Sequence, residues 1–272
     1  MQPRCALTIA GSDSGGGAGV QADLRTFSAF GVHGTTALTA VTAQNTQTVR
    51  SVVTLPPAEV VAQVRAVLED FAIAAAKTGM LAEPAIVLAV AELARAGELP
   101  PLVVDPVLVS STGALLLADG GIEAYRDALL PHALLATPNL PEAAALAGVD
   151  VRDLATVEDM VAVGRTIADG GPRAVLVKGG HALPGATAAH APDVLILGQE
   201  VVVLDAERVV TRNDHGTGCS LSAAVVAGLA LGRELRDAVR DAKAFVLAGL
   251  RGAADWQLGQ GHGPIDHFGW GP

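Results

Sequence analysis

Short apolar runs that stop at a polar or glycine residue recur along the chain: Cys5–Ala10, Ala37–Ala43, Ile73–Lys77, Leu102–Asp105, Leu134–Thr137 and Ala174–Lys178. Runs of this length without polar alternation predict strands buried on both faces. Between them lie segments of helical period, Val20–Phe30, Ala58–Phe71, Ala85–Ala96, Ile122–Leu130 and Val157–Asp169. Gly31 and Gly97 stand where two of these should end, Pro56-Pro57 and Pro84 where two should begin, and Thr156 can cap a fifth. Strand alternating with helix predicts right-handed crossovers and a mostly parallel α/β sheet. After Lys178 the pattern changes. Val194–Leu197 and Val201–Asp205 flank Gly198-Gln199-Glu200 and predict an antiparallel hairpin at a sheet edge, followed by two helices, from Thr217-Gly218 to Leu231 and from Leu235 towards Ala254. No repeat or low-complexity linker divides the chain, so residues 1–272 are expected to form one domain.

Composition refines this picture. Half of the 272 residues are hydrophobic but only 3% are aromatic, so the core must be built from Ala, Val and Leu. Glycine, at 31 residues, exceeds the usual ~7% and demands many tight turns or close backbone approaches. The net charge of −10 argues against a nucleic-acid or anionic-membrane surface, which needs clustered Lys and Arg. Any phosphate site must therefore draw on local positive potential. The longest uncharged stretch, Thr26 to Val49, is studded with Thr, Gln and Asn and does not predict a membrane helix. The apolar N-terminal stretch is too short for a signal-peptide core, and Cys5 and Cys219 stand far apart with no CxxC, so a cytoplasmic protein is expected.

In an open α/β sheet ligands sit at the carboxyl ends of the strands, and four segments there carry chemistry. Gly11-Ser12-Asp13-Ser14-Gly15-Gly16-Gly17-Ala18-Gly19 joins the first strand to the first helix. No G-x-G-x-x-G register fits it, and Gly17 stands where a Walker A lysine should be, so neither a dinucleotide fingerprint nor a P-loop is indicated; a plain turn stays open. His215-Gly216-Thr217-Gly218-Cys219-Ser220 opens an apolar helix whose N-terminus suits developing phosphoryl charge. The same field should lower the thiol pKa of Cys219, unless it is only a packing residue. Asn139 and Glu142 can share the first turn of a helix as oxygen donors for Mg²⁺ or as a cap, and Asp105 ends a strand in the same way. Lys178, followed by Gly179-Gly180, can reach a phosphate or simply be solvated. No histidine pair has zinc-ligand spacing, and the role of His215 is open.

Taken in order, Ala6–Ser14, Gly16–Leu24, Ala43–Thr46, Lys77–Met80, Thr137–Ala144, Val177–His181, His215–Ser222 and the tail Gly259–Pro264 resemble the hydroxymethylpyrimidine/phosphomethylpyrimidine kinases of thiamine biosynthesis, members of the ribokinase-like superfamily. The resemblance covers nearly the whole chain. It implies a three-layer sandwich with a mostly parallel central sheet and helices on both faces. It also implies a homodimeric enzyme that uses ATP and Mg²⁺ to phosphorylate 4-amino-5-hydroxymethyl-2-methylpyrimidine and then its monophosphate. By matching position, Gln44 would read the pyrimidine, Asp23 would hydrogen-bond the substrate, and Gly11, Met80 and Val107 would shape the ring pocket. Lys178, Thr217 and Gly218 would meet ATP, Gly216 and Gly218 would form the anion hole, and Asp105, Asn139 and Glu142 would organise Mg²⁺. Cys219 stands where many sugar kinases of the superfamily have an aspartate base. Gly15 replaces an expected Ser and Asp214 an expected Thr, which puts ATP affinity in question, and residues 183–192 are a candidate lid. Rival readings are a pyridoxal kinase of the same superfamily, against which Gln44 speaks, and a non-catalytic pyrimidine sensor, which would not need Lys178, Asn139, Glu142 and Cys219.

Overall fold

Strand β1 (Cys5–Ser12) lies near the middle of a nine-stranded sheet, in a computed structural model that describes residues 2–108, 117–180 and 189–271. The chain leaves β1 through α1 (Gly19–Ala29) to β2 (His33–Gln44) on one side, turns into β3 (Val49–Thr54), and returns through α2 (Pro57–Asp70) to β4 (Ile73–Thr78) on the other side. From β4 it steps outward through α3 (Pro84–Arg95), β5 (Leu102–Val104), the short α4 (Gly121–Ala124), β6 (Leu135–Ala136), α5 (Leu140–Ala147) and α6 (Val157–Asp169) to β7 (Ala174–Lys178). The order β3-β2-β1-β4-β5-β6-β7-β8-β9 is parallel from β2 to β7. It becomes antiparallel at both edges, through β3 and through the hairpin of β8 (Asp193–Leu197) and β9 (Glu200–Leu204). The order reverses between β1 and β4, so the crevice for a ligand lies beyond the carboxyl ends of those two strands.

The central strands are buried on both faces, as their unbroken apolar runs predict. Leu7, Ile9, Val104, Val175 and Val177 enter a core with α2, α3, α5 and α6, whereas Ala6, Val103, Ala174 and Leu176 enter a second with α1, α7 (Thr217–Ala230) and α8 (Leu235–Gly252). The result is the expected three-layer sandwich. The second core explains the scarcity of aromatics: α7 is buried almost all round through Ala223, Ala224, Val225, Val226 and Ala227. A Cβ on Gly228 would stand 2.9 Å from the Cβ of Ala238, so α7 and α8 pack as closely as their small residues allow.

Three details differ from expectation. β3 escapes a search for buried runs because four of its six residues are exposed. The helix expected over 122–130 keeps one α turn and then widens into a π turn at Tyr125–Leu129 and a 3₁₀ turn at Leu130–His132. β2 starts four residues early, because His33 to Thr36 pair with Cys5 to Thr8. Among the described residues no helix is long and apolar enough to cross a membrane. Residues 183–188 of the candidate lid lie outside the described residues, as does His181.

Candidate active site

The two glycine segments, about two hundred residues apart, are packed against each other. Asp13 folds the first around itself: the amides of Gly15, Gly17 and Ala18 donate to its carboxylate at 2.8, 3.0 and 2.8 Å. The amides that a phosphate could have used are therefore turned onto an internal anion. Nε2 of His215 lies 2.9 Å from Asp13 Oδ2. Burial works to raise the Asp13 carboxyl, but the hydrogen bonds from His215, Ala18 and Gly15 outweigh it and hold the group below the usual carboxylate range. A Cβ on Gly17 would stand 2.3 Å from Cδ2 of His215, and one on Gly216 only 1.8 Å from the carbonyl oxygen of Gly17. Gly216 has φ +84° and caps α7, so it is required by conformation and by contact alike.

Two lysine–aspartate pairs lie beneath the first turn of α7. Lys178 Nζ donates to Asp105 Oδ1 at 2.8 Å, the Thr137 hydroxyl to the same oxygen at 3.0 Å and the Ser222 hydroxyl to Oδ2 at 3.2 Å. A Cβ on Gly218 would be 3.3 Å from Lys178 Nζ, which places that ammonium directly against the helix N-terminus. Lys77 and Asp23 form the second pair at 2.8 Å, both side chains 0% exposed, with the Thr8 hydroxyl donating to the other Asp23 oxygen at 2.7 Å. Burial is the largest influence on each: it raises Asp23 and opposes charge on Lys77. Even so, Lys77, facing Asp23, Cys219 and Asp105, ends above its ordinary value.

Cys219 behaves differently from the sequence expectation. The residue is half-buried, but the atoms packed around it push the thiol up to about 11; Lys77 and the Gly19 amide pull it down without overcoming burial, and Asp23 and Asp105 add to the rise. The cysteine is a thiol at neutral pH, and the helix-end field does not make it a thiolate. Glu142 is likewise pushed up, to about 7, by burial, with Lys178 opposing and Asp105 adding.

Asn139 and Glu142 form a reciprocal capping box on α5: the Glu142 amide donates to Asn139 Oδ1 at 2.9 Å and the Asn139 amide to Glu142 Oε2 at 2.8 Å. The cap reading of Asn139 is therefore realised, with its amide oxygen engaged. Among the described residues no cluster of three or more His, Cys, Asp or Glu is gathered as a metal cage.

Gln44 ends β2, half-buried, with Nε2 3.3 Å from His215 Nε2. Ser14 ties this strand end to the first loop, donating to the Gln44 carbonyl at 2.7 Å and accepting from its amide at 2.8 Å. The carboxamide and the glycine-opened α7 thus lie side by side. Gly11 faces Met80, whose Cε would be 2.3 Å from an added Cβ, and the half-buried Val107 follows β5. Asp23 accepts one bond on each carboxylate oxygen, from Lys77 and from Thr8, and lone pairs remain on both. Asp214 turns to the surface, 2.8 Å from His262 Nδ1, away from the cluster of Lys178 and Asp105. At Gly15 a Cβ would press on Asp13 Oδ1 at 3.2 Å and Asn45 Cα at 3.3 Å, so glycine suits this tightly wound loop.

Sequence reasoning missed Asp13, Lys77 and Ser222. Lys77 had a signal: it is the only charge in Ile73–Thr78, and a charge inside a buried strand must be paired.

This constellation can be set beside known proteins. A family model described as phosphomethylpyrimidine kinase matches residues 13–266. The chain belongs to the phosphomethylpyrimidine kinase family. It is 48% identical to the hydroxymethylpyrimidine/phosphomethylpyrimidine kinase of Streptomyces coelicolor, over 99% of this chain and 96% of that one. Among solved structures, phosphomethylpyrimidine kinase from Clostridium difficile superposes with a TM-score of 0.78 at 40% identity, covering 90% of this chain and 98% of the other. The ADP complex of Bacillus subtilis pyridoxal kinase superposes with a TM-score of 0.86 at 36% identity, covering 98% of each chain. The sandwich is thus the ribokinase-like fold of this kinase family.

Proposed function

We propose that the protein phosphorylates 4-amino-5-hydroxymethyl-2-methylpyrimidine and then its monophosphate from ATP, in thiamine biosynthesis. The observation that carries this reading is the contact of Gln44 with His215, which puts a heterocycle-reading carboxamide next to the N-terminus of α7. The amide group offers one donor and one acceptor, complementary to an amino group beside a ring nitrogen. Gly11, Met80 and Val107 wall the ring, and Asp23, which also holds Lys77, hydrogen-bonds the substrate. Gly216 and Gly218 let the backbone amides of α7 meet the transferring phosphoryl group, while Thr217 and Lys178 meet the nucleotide phosphates.

The substrate hydroxyl oxygen attacks the terminal phosphorus, the bond to the bridging oxygen breaks, and ADP leaves. Such transfers are loose and depend mainly on charge stabilisation. Cys219 takes the hydroxyl proton through the small fraction that is thiolate. The donor set fits Mg²⁺ held indirectly: Asp105 and Glu142 are two buried carboxylates beside Lys178, oxygen donors of the kind Mg²⁺ takes. Mg²⁺, held by Asp105 and Glu142 with Asn139 fixing the helix end, would neutralise phosphate charge.

Mass analysis of products after incubation with the alcohol, ATP and Mg²⁺ tests the reading. Monophosphate and diphosphate together are expected; no ADP release would leave a binding protein instead. The likeness to a pyridoxal kinase makes pyridoxal the competitor to include, and the aminopyrimidine alcohol should outcompete it. The same reading makes the chain one catalytic domain acting as a cytoplasmic homodimer, which light scattering of the purified enzyme checks for mass.

A further inference from the structure

We infer that Asp13 and His215 are specificity-determining residues that fix which way the Gln44 carboxamide faces, and so the order of donor and acceptor shown to the heterocycle. This rests on the reading of Gln44 above. Asp13, held ionised by three backbone amides, can only accept, so the His215 nitrogen 2.9 Å from it carries a hydrogen. That same nitrogen lies 3.3 Å from Nε2 of Gln44, which sets two donors face to face. At the other end, the Thr42 hydroxyl spends its one hydrogen on the Ser12 carbonyl at 2.8 Å, so only lone pairs remain for Gln44 Oε1 at 3.4 Å.

Both conflicts disappear when the terminal amide is turned by half a rotation, a choice that its shape leaves to the hydrogen-bond network. The amide oxygen then faces the His215 N–H and shares with Asp13 its one hydrogen, which stays mainly on the carboxylate, and the amide nitrogen donates to Thr42. One lone pair and one N–H remain for the ligand, in fixed order. An exocyclic amino group meets the oxygen, and the adjacent ring nitrogen meets the N–H.

His215 cannot follow a wandering amide. Its ring lies against Gly17, where any side chain would collide with it, and its backbone amide donates to the Gly263 carbonyl at 3.0 Å. Asp13 is equally fixed, being the centre of its own loop.

The test compares kcat/KM for two alcohols that differ only at ring position 4. The 4-amino compound presents donor then acceptor; the 4-oxo compound presents acceptor then ring N–H. Wild-type enzyme should favour the amino compound strongly. His215→Phe keeps a ring but no N–H, frees the amide to turn, and should shrink the ratio by a factor of about 10 to 100, chiefly through KM. His215→Gln keeps a donor in reach and should preserve the ratio. An unchanged ratio in His215→Phe, or an equal loss in His215→Gln, overturns the inference. If circular dichroism shows His215→Phe unfolded, Thr42→Val probes the other end of the amide, and an unchanged ratio there is equally fatal. Wild-type enzyme that phosphorylates neither alcohol would count against the proposed function itself.

Discussion

Lys77 and Asp23 sit within a core of alanines and valines with no water contact, so each is tolerated only because of the other. Removing one partner of such a pair leaves an uncompensated buried charge, at a cost of about 3–5 kcal/mol, whereas replacing both with apolar residues is often near neutral. Asp23→Asn should therefore lower the urea midpoint sharply, and Asp23→Leu combined with Lys77→Met should recover most of it. Equal destabilisation of the double variant would show that the pair stabilises in its own right. Cys219 shows the limit of reading a residue from its neighbours in sequence. His215–Ser220 identifies a helix N-terminus, but not the desolvation by the strands and carboxylates behind it, and desolvation decides the pKa. With the thiol near 11, the thiolate fraction at neutral pH is small and grows about tenfold per pH unit up to that value. The single-turnover rate should climb with pH from 7 to 9, and Cys219→Ser should lose a factor of about 10² or more together with that slope. A flat wild-type profile would remove Cys219 as proton acceptor.

At the scale of elements, α7 carries left-handed glycines near both ends, which separate two kinds of requirement. Gly232, past the C-terminus, has φ +81° with nothing within 4 Å of an added Cβ, whereas Gly216 has φ +84° and a Cβ there would strike Gly17. Gly232→Ala should cost about 1 kcal/mol of stability through conformation alone, with kcat unchanged. Gly216→Ala carries the same strain and must also drive the two glycine segments apart. Its single-turnover rate should fall by about 10² or more, the usual scale for losing a donor that stabilises transition-state charge. Similar rates in both variants would mean that the contact with Gly17 does not shape the site. Elements were legible where sequence and burial agree: Thr156 and Asp159 form the capping box that opens α6, and the central strands end at Asp105 and Lys178 nearly as their apolar runs stop. β3 was not, because an edge strand with an exposed face has no buried run to betray it. The π turn at Tyr125–Leu129 had no sequence sign either, since its apolar spacing is that of an ordinary helix.

Across the whole molecule, alternation of strand and helix identifies the layers and the carboxyl edge, but not the strand order that makes Gln44 and His215 neighbours. That pairing depends on the reversal between β1 and β4 and on the tail, where His262 donates its amide to the Thr46 carbonyl and His215 lies beside Pro264. The net charge of −10 now acquires a functional consequence. An anionic nucleotide approaches a protein whose net charge repels it at long range and then meets the amide end of α7 with Lys178 against it. The screening length shrinks from about 30 Å at 0.01 M salt to about 8 Å at 0.15 M, so added salt weakens the distant repulsion far more than contacts among half-buried groups. kcat/KM for ATP, measured at fixed free Mg²⁺ in potassium acetate, should therefore rise by a factor of about 2 or more over that range. A steep fall would instead require an exposed basic surface guiding the nucleotide, and the attraction would then have to be sought outside the cleft.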